Sequence, residues 1–181
     1  MLAGLVLAFA TLLALVAGAA SSAAAVSPEY QVKAVFLFNF AHFVEWPPQS
    51  FEDTAGPFVI GVLGMDPFGS ALEGAVRGET IDGRGFAVVR YRSVAEVQRC
   101  QILFISRSEA PRIEEISATL AARSILTVSD SEGSAQRGAM IRFVSESNRI
   151  RLRIDAGAAK AAGLLISSKL LRPAELVTPA D

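Results

Sequence analysis

The sequence predicts a single α/β domain with a central, largely parallel sheet flanked by helices and an antiparallel hairpin near the C-terminus. Short apolar runs of strand length, such as residues 58–63 and 102–105, alternate with segments of helical length. Strands covered on both faces read as unbroken apolar runs, and alternation with helices is typical of a parallel sheet. Farther on, only residues 146–148 separate the segments 139–145 and 149–154. Such a short link predicts the hairpin.

The first 25 residues are uncharged and have the character of an export signal. Their apolar run, Leu5 to Val16, falls short of the roughly 20 residues that span a bilayer as a helix. Ala23-Ala24-Ala25 offers a cleavage site before Val26, with Ala17-Gly18-Ala19 as a rival site. The leader lacks the usual Lys or Arg near its start, and an uncleaved anchor remains an alternative. We expect residues 1–25 to be a signal peptide and residues 26–181 to form one domain.

Composition sets limits on function. The mature chain would have a length suited to one domain with one substantial core. The sequence contains 17 basic and 18 acidic residues, with a net charge of −1, so charge gives no reason to expect nucleic acid as a partner. Cys100 is the only cysteine, which excludes an intramolecular disulfide. It is either a small buried residue at the start of a strand or a site of intermolecular disulfide formation or thiol chemistry.

The first predicted helix runs from Pro28 to about Val44. Ser27 is a suitable N-cap, and Pro47-Pro48 stops the helix. Apolar residues at spacings of three and four predict one broad buried face: Val32, Val35, Phe36, Phe40, Phe43 and Val44, widened by Leu37 and Phe38. The aromatic residues favour core packing, although a ligand cage or a membrane-facing patch has the same composition. Some could also face a partner or a second copy of the chain in a homodimer.

The remaining elements follow in order. Strands are predicted at 58–63, 86–90, 101–105 and 125–128, with helices at 67–76, 93–98 and 113–121. After the hairpin, Asp155 can cap a helix that begins at Ala156 and is interrupted by Gly163. Ser167-Ser168 can cap a further turn through Leu171. The C-terminal segment is therefore expected to form two short helical pieces.

The second strand of the hairpin has two chemically distinct faces. Arg149, Arg151 and Arg153 alternate with isoleucine and leucine, so one face is cationic and the other is buried. A solvated face at a sheet edge accounts for this pattern, because charge discourages edge-to-edge pairing. A docking surface for a partner is the alternative.

No catalytic, cofactor or metal site is predicted. His42 is the only histidine, which excludes a multi-histidine zinc site and leaves a catalytic triad without a suitable context. The glycine-rich turn from Gly61 to Gly69 lacks the spacing of dinucleotide and P-loop motifs. It is either a simple turn or the lining of a ligand crevice. The acidic loop residues are Asp66, Asp82, Asp130 and Glu132, and their spacing does not establish a carboxylate pair.

The chain resembles the YfiR family over nearly all of its mature length. The resemblance rests on the order and spacing of several segments, none of which is diagnostic alone. They are 29–47, 59–64, 100–106, 125–130, 138–141, 149–155 and 166–171. Ala139 stands where the family often has a second glycine, and Asp155 where it often has asparagine. The hairpin is also more basic than the family pattern.

The resemblance implies a periplasmic regulator and not an enzyme. Such a protein binds the sensor region of an inner-membrane GGDEF protein, inhibits its diguanylate cyclase activity, lowers cyclic di-GMP and thereby disfavours biofilm formation, with no cofactor. We hypothesise that Arg151, Arg153, Ile166 and Leu170 contribute to the docking surface. A periplasmic small-molecule sensor, with the turn from Gly61 to Gly69 lining a pocket, is the alternative.

Overall fold

A computed structural model describes residues 26–51, 56–147 and 149–177, so the expected signal peptide lies outside the described residues. The helices are α1 Pro28–Phe43, α2 Ala71–Val76, α3 Ile113–Leu120, α4 Ala156–Ala161 and α5 Ser168–Leu171. The strands are β1 Val44–Glu45, β2 Phe58–Leu63, β3 Thr80–Ile81, β4 Arg84–Tyr91, β5 Ile102–Ile105, β6 Leu126–Ser129, β7 Ile141–Glu146, β8 Arg149–Ile154, β9 Leu165–Ile166 and β10 Glu175–Leu176. Short 3₁₀ turns cover Pro48–Ser50, Val94–Glu96 and Arg107–Arg112.

The main sheet has eight strands in the order β10-β8-β7-β6-β5-β2-β4-β3. Strands β4, β2, β5, β6 and β7 are parallel, β7 and β8 form the antiparallel hairpin, and β3 pairs antiparallel with β4. The predicted fold class is confirmed. From β2 the chain passes to β4 on one side of it, and it then returns to β5 on the other side. The strand order therefore reverses between β2 and β5. In doubly wound sheets this reversal is where ligands commonly bind, beyond the carboxyl ends of the strands.

A hydrophobic core lies on each face of the sheet. On one face, Leu37 and Phe40 of α1 pack with sheet residues such as Val62 and Phe104. On the other, Ile113 and Ile116 of α3 belong to a separate cluster. Buried side chains on both faces explain why β2, β5 and β6 read as unbroken apolar runs.

Helix α1 has the predicted extent, and its buried face was predicted only in part: Leu37, Phe40 and Val44 are buried as expected. Val32 and Val35 are about half exposed, at 47% and 49%. The buried side chains are those of Lys33, Ala34, Leu37, Phe40 and Ala41. The prediction failed at Val32 and Val35, because Lys33, Ala34 and Ala41 occupy the part of the buried face that these valines were expected to fill.

The aromatic residues near this helix mostly pack inside the protein. Phe40 stacks on Phe143 of β7, with ring centroids 5.9 Å apart. Trp46 meets Phe58 edge to face at 5.0 Å, and its indole nitrogen donates a hydrogen bond to the carbonyl oxygen of Gln101. Core packing of these rings is therefore confirmed.

The C-terminal segment forms the two predicted helical pieces and a small sheet that was not predicted. Asp155 caps α4 by accepting a hydrogen bond from the amide of Ala158 at 2.8 Å. Gly163, with φ +78°, ends this piece in a conformation that favours glycine. Strand β9 then pairs antiparallel with β1, the strand that immediately follows α1. At the start of α1, Ser27 occupies the predicted cap position, but its side chain makes no capping hydrogen bond.

Candidate functional site

The arginines of the hairpin lie on one face of the sheet, as the alternation predicted. Leu152 and Ile154 belong to the core on the α1 side, so the odd-numbered residues of β8 face the opposite side. In the register of the hairpin, Arg153 lies directly opposite Arg142, and Arg151 lies opposite Val144. Like charges opposite one another destabilise a strand pair, so the Arg142–Arg153 pair needs neighbouring carboxylates or another anion.

The four residues predicted to dock a partner occupy different environments. The side chain of Arg151 is 68% exposed and lies 3.5 Å from Glu146. Arg153 is less exposed, at 28%, and pairs with Glu175 of β10 at 2.8 Å. Ile166 is half-buried in β9 and Leu170 is buried, and both pack in the core on the α1 side. The structure thus places the two arginines together and the two apolar residues across the sheet from them.

The hairpin also projects beyond the carboxyl edge of the parallel sheet. The pairing of β6 with β7 ends at Ser129 and Arg142, whereas β7 continues to Glu146. The N-terminal turn of α1 packs against this projection, where the hydroxyl of Ser145 donates to a carboxylate oxygen of Glu29 at 2.7 Å. A corner forms between the hairpin, the start of α1 and the loops that follow β5 and β6.

A fully buried lysine lies beside this corner. The Nζ of Lys33 is 2.6 Å from Oδ2 of Asp130 and 2.5 Å from Oε1 of Glu29. The same Oδ2 accepts a hydrogen bond from the hydroxyl of Tyr30 at 2.8 Å and lies 3.3 Å from Nε of Arg107. Asp130, which directly follows β6, is thereby tied to α1 and to the loop after β5.

The surroundings of this cluster explain how its charged groups can be buried. Burying a lysine is costly unless it is paired, and Lys33 has two carboxylates and the face of the Tyr30 ring within reach, its Nζ 4.5 Å from the ring centroid. Burial and the hydrogen bond to Asp130 raise the pKa of Tyr30, so its hydroxyl stays a donor. Hydrogen bonds from Lys33 and Ser145 lower the pKa of Glu29 from its ordinary value.

A cavity of about 470 Å³ opens at the same corner. Its lining comprises Arg107, Ala110, Asp130, Ser131, Glu132, Arg142, Phe143, Val144 and Ser145. Three buried atoms of lining residues have no hydrogen-bond partner among the described residues: Oδ1 of Asp130, Oγ of Ser131 and Nε of Arg142. Burial and the neighbouring charge of Arg153 lower the pKa of Arg142. We call this feature the carboxyl-edge cavity.

The glycine-rich turn from Gly61 to Gly69 closes on the protein itself. A side chain at Gly64 would meet Cγ of Glu109 at 2.8 Å, because the loop after β5 lies directly against the turn. The hydroxyl of Ser108 accepts from the amide of Met65 at 2.9 Å, and Asp66 accepts from the amide of Phe68 at 2.7 Å. The crevice where the sheet changes direction is therefore occupied by this loop, which supports the simple-turn interpretation.

The other two residues considered for a chemical role, Cys100 and His42, lie in surroundings that indicate structural roles. Cys100 is buried just before β5, as predicted, and burial raises the pKa of its thiol to about 12. His42 is exposed on α1 and contacts the ring of Phe38. Within the described residues, no group of three or more histidine, cysteine and acidic side chains could hold a metal ion. Across those same ranges, none of the helices has the length and apolar character needed to cross a bilayer.

These features define a doubly wound α/β domain with a basic hairpin face and a polar cavity at its carboxyl edge. The YfiR/HmsC-like family profile matches residues 30–175, and the chain belongs to this family. The family is one of periplasmic regulators of diguanylate cyclase and is regulatory, not catalytic. Among curated proteins, none matches the chain.

Proposed function

We propose that this protein binds the periplasmic sensor region of a membrane-anchored diguanylate cyclase and holds the enzyme inactive, which lowers cyclic di-GMP. Membership of the YfiR/HmsC-like family carries this proposal. A regulator of this kind needs only a different affinity for the active and inactive states of its receptor. Secretion through cleavage of residues 1–25 belongs to the same proposal.

The arginine face of β8 is the proposed docking surface. Of its two ion-paired arginines, Arg151 is the more exposed. Its contact with Glu146, at 3.5 Å, is long for an ion pair. Exposed pairs of this kind contribute little to stability, so a partner's carboxylate can replace Glu146 at small cost. Glu175 holds the guanidinium of Arg153 in place, so a partner would meet this cation in a fixed position. The surface therefore favours an acidic partner.

Ile166 and Leu170 have a supporting role in this proposal. Leu170 is only 7% exposed, so it can affect docking through the packing of α5 but not through direct contact. Ile166 is half-buried, and its neighbour Leu165 is 58% exposed. The β1–β9 sheet therefore offers a separate apolar contact across the main sheet from the arginines.

The inhibition is tested in cells that produce a transmembrane GGDEF protein, and any such protein encoded by a neighbouring gene is the first to try. Co-production of the full chain with its leader should lower cyclic di-GMP relative to cells with the cyclase alone. A version without residues 1–25 serves as the matched control, because it cannot reach the periplasm if the leader is the export signal. An unchanged cyclic di-GMP level with the full chain would contradict the proposal.

The docking surface is tested by pull-down from membranes whose periplasmic side is exposed. The double variant Arg151→Glu/Arg153→Glu should lose capture of the cyclase. Arg77→Glu/Arg92→Glu carries the same charge change on exposed arginines away from the hairpin and should retain it. Equal capture by both double variants would reject the arginine face as the docking surface.

A small-molecule sensor remains a second candidate, supported by the carboxyl-edge cavity. The pocket expected along the turn from Gly61 to Gly69 is filled by the loop after β5, but the cavity beside β6 and β7 has unpartnered polar groups. Sensing and inhibition are compatible in one regulator, since a ligand can shift the affinity for a partner.

A further inference from the structure

We propose that the carboxyl-edge cavity binds a small hydroxylated anion, such as a sugar acid or a sugar phosphate. The proposal rests on the cavity's own unpartnered groups and does not depend on the docking proposal. Ligand cavities in proteins commonly have volumes of about 300–1,000 Å³. At about 470 Å³, this cavity has room for a molecule of that class.

The anionic part of the ligand follows from Arg142. Among the described residues, its Nε is buried without a hydrogen-bond partner, although the carboxylates of Glu132, Asp130 and Glu146 lie close enough to attract its charge. Its cross-strand neighbour is another cation, Arg153, whose own charge is matched by Glu175. Arg107 extends into the same cavity and is 62% exposed. A carboxylate or phosphate placed between the two lining arginines would satisfy Arg142 and relieve its repulsion with Arg153.

The hydroxylated part follows from Asp130 and Ser131. Oδ2 of Asp130 is saturated by Tyr30, Lys33 and Arg107, whereas Oδ1 is buried with no donor in the described part of the chain. Leaving a buried carboxylate oxygen without a donor is costly. The hydroxyl of Ser131, also buried and unpartnered, can donate or accept. A ligand hydroxyl would supply the missing donor to Asp130.

The arrangement therefore requires two features in one molecule, an anionic group and a hydroxyl group. A simple carboxylate would satisfy the arginine and leave Asp130 unpartnered. A neutral sugar would supply a donor to Asp130 and leave the arginine without an anion. Because Arg142 neighbours Arg153, occupancy of the cavity would also alter the charge presented by the arginine face.

Calorimetric titration of the purified mature chain with four probes tests the ligand class. Gluconate and glucose 6-phosphate carry both features, hexanoate has the anionic group alone, and glucose has the hydroxyls alone. Gluconate or glucose 6-phosphate should bind about tenfold more tightly than hexanoate and glucose, the change expected for one hydrogen bond to a charged group. Whichever of the two binds more tightly identifies the anion as carboxylate or phosphate.

Three variants locate the binding. Arg142→Gln should weaken it by about tenfold or more, and Ser131→Ala should weaken it by a smaller factor without removing any hydrogen bond of the described structure. Arg149→Gln is the matched control, since Arg149 lies exposed near the hairpin turn and does not line the cavity. Failure of both hydroxylated anions to bind, or equal binding by wild type and Arg142→Gln, would overturn the proposal.

Discussion

The two charged regions of this protein differ in burial, and their expected roles differ with it. Around Lys33 and Asp130 the charges are enclosed, with side-chain exposures of 0% and 1%, and they connect α1 to the ends of two strands. On the hairpin, Arg151 is 68% exposed and meets its carboxylate only at 3.5 Å. Buried pairs cannot lose one member without a large penalty, whereas exposed pairs exchange partners easily. The first region should hold the fold together, and the second should be free to bind.

The largest effect is expected from Lys33→Met. This change leaves Asp130 buried without its nearest cation and should lower the free energy of unfolding by about 3–5 kcal/mol. Urea denaturation of the mature chain measures it. Lys160→Met, which removes an exposed lysine, is the matched control and should change stability by less than about 0.5 kcal/mol. Equal stability of the two variants would show that the buried pair does not hold the carboxyl edge.

A smaller effect is expected from Tyr30→Phe. The hydroxyl of Tyr30 donates to a buried carboxylate, and such bonds contribute about 1.5–3 kcal/mol. The control is Tyr91→Phe, whose hydroxyl donates to the neutral carbonyl of Arg99 at 3.1 Å and should contribute about 1 kcal/mol. If denaturation shows the Tyr91 variant to be the less stable, the charge on Asp130 does not strengthen its hydrogen bond.

The pH dependence of stability should reveal Glu29. Hydrogen bonds from Lys33 and Ser145 lower its pKa below the ordinary value of 4.5 in the folded state. Its contribution to stability is therefore complete above about pH 4.5 and is lost as the pH falls through the folded-state pKa. Glu29→Gln should show a shallower loss of stability in that acid range than wild type. If the stability of the two proteins falls equally steeply with decreasing pH, this expectation is contradicted. Glu45→Gln, at an exposed carboxylate, is the control.

The smallest effect on stability is expected from the hairpin. Arg151→Glu/Arg153→Glu should change the free energy of unfolding by no more than about 1–2 kcal/mol, because both ion pairs are at least partly exposed. Urea denaturation checks this directly. A loss as large as that of Lys33→Met would mean that the arginines are structural and would remove the contrast between the two regions.

The sheet could be predicted from sequence because its signals are local. Apolar runs define β2, β5 and β6, and the short link at 146–148 defines the hairpin. The strands β1, β3, β9 and β10 were not predicted. Each has only two residues and is a strand because it pairs with another segment, which for β1, β9 and β10 is distant in sequence.

The buried cluster could not be predicted by the same reasoning. Hydrophobic periodicity assigned α1 a buried face with Val32 and Val35 and left Lys33 unconsidered, because a lysine is almost never fully buried unless it is paired. Its main partner, Asp130, is 97 residues away. The one local signal was the spacing of Glu29 and Lys33, four residues apart, which also occurs on many exposed helix surfaces.

Affinity for the cyclase sensor region tests the central claim most directly. Titration of the purified mature chain with the purified periplasmic region should give at least about tenfold weaker binding for Arg151→Glu/Arg153→Glu than for wild type, at nearly unchanged stability. The Arg77→Glu/Arg92→Glu control should bind as wild type does. Unchanged affinity in the hairpin variant would contradict the claim that the exposed arginines, and not the buried cluster, provide the regulatory contact.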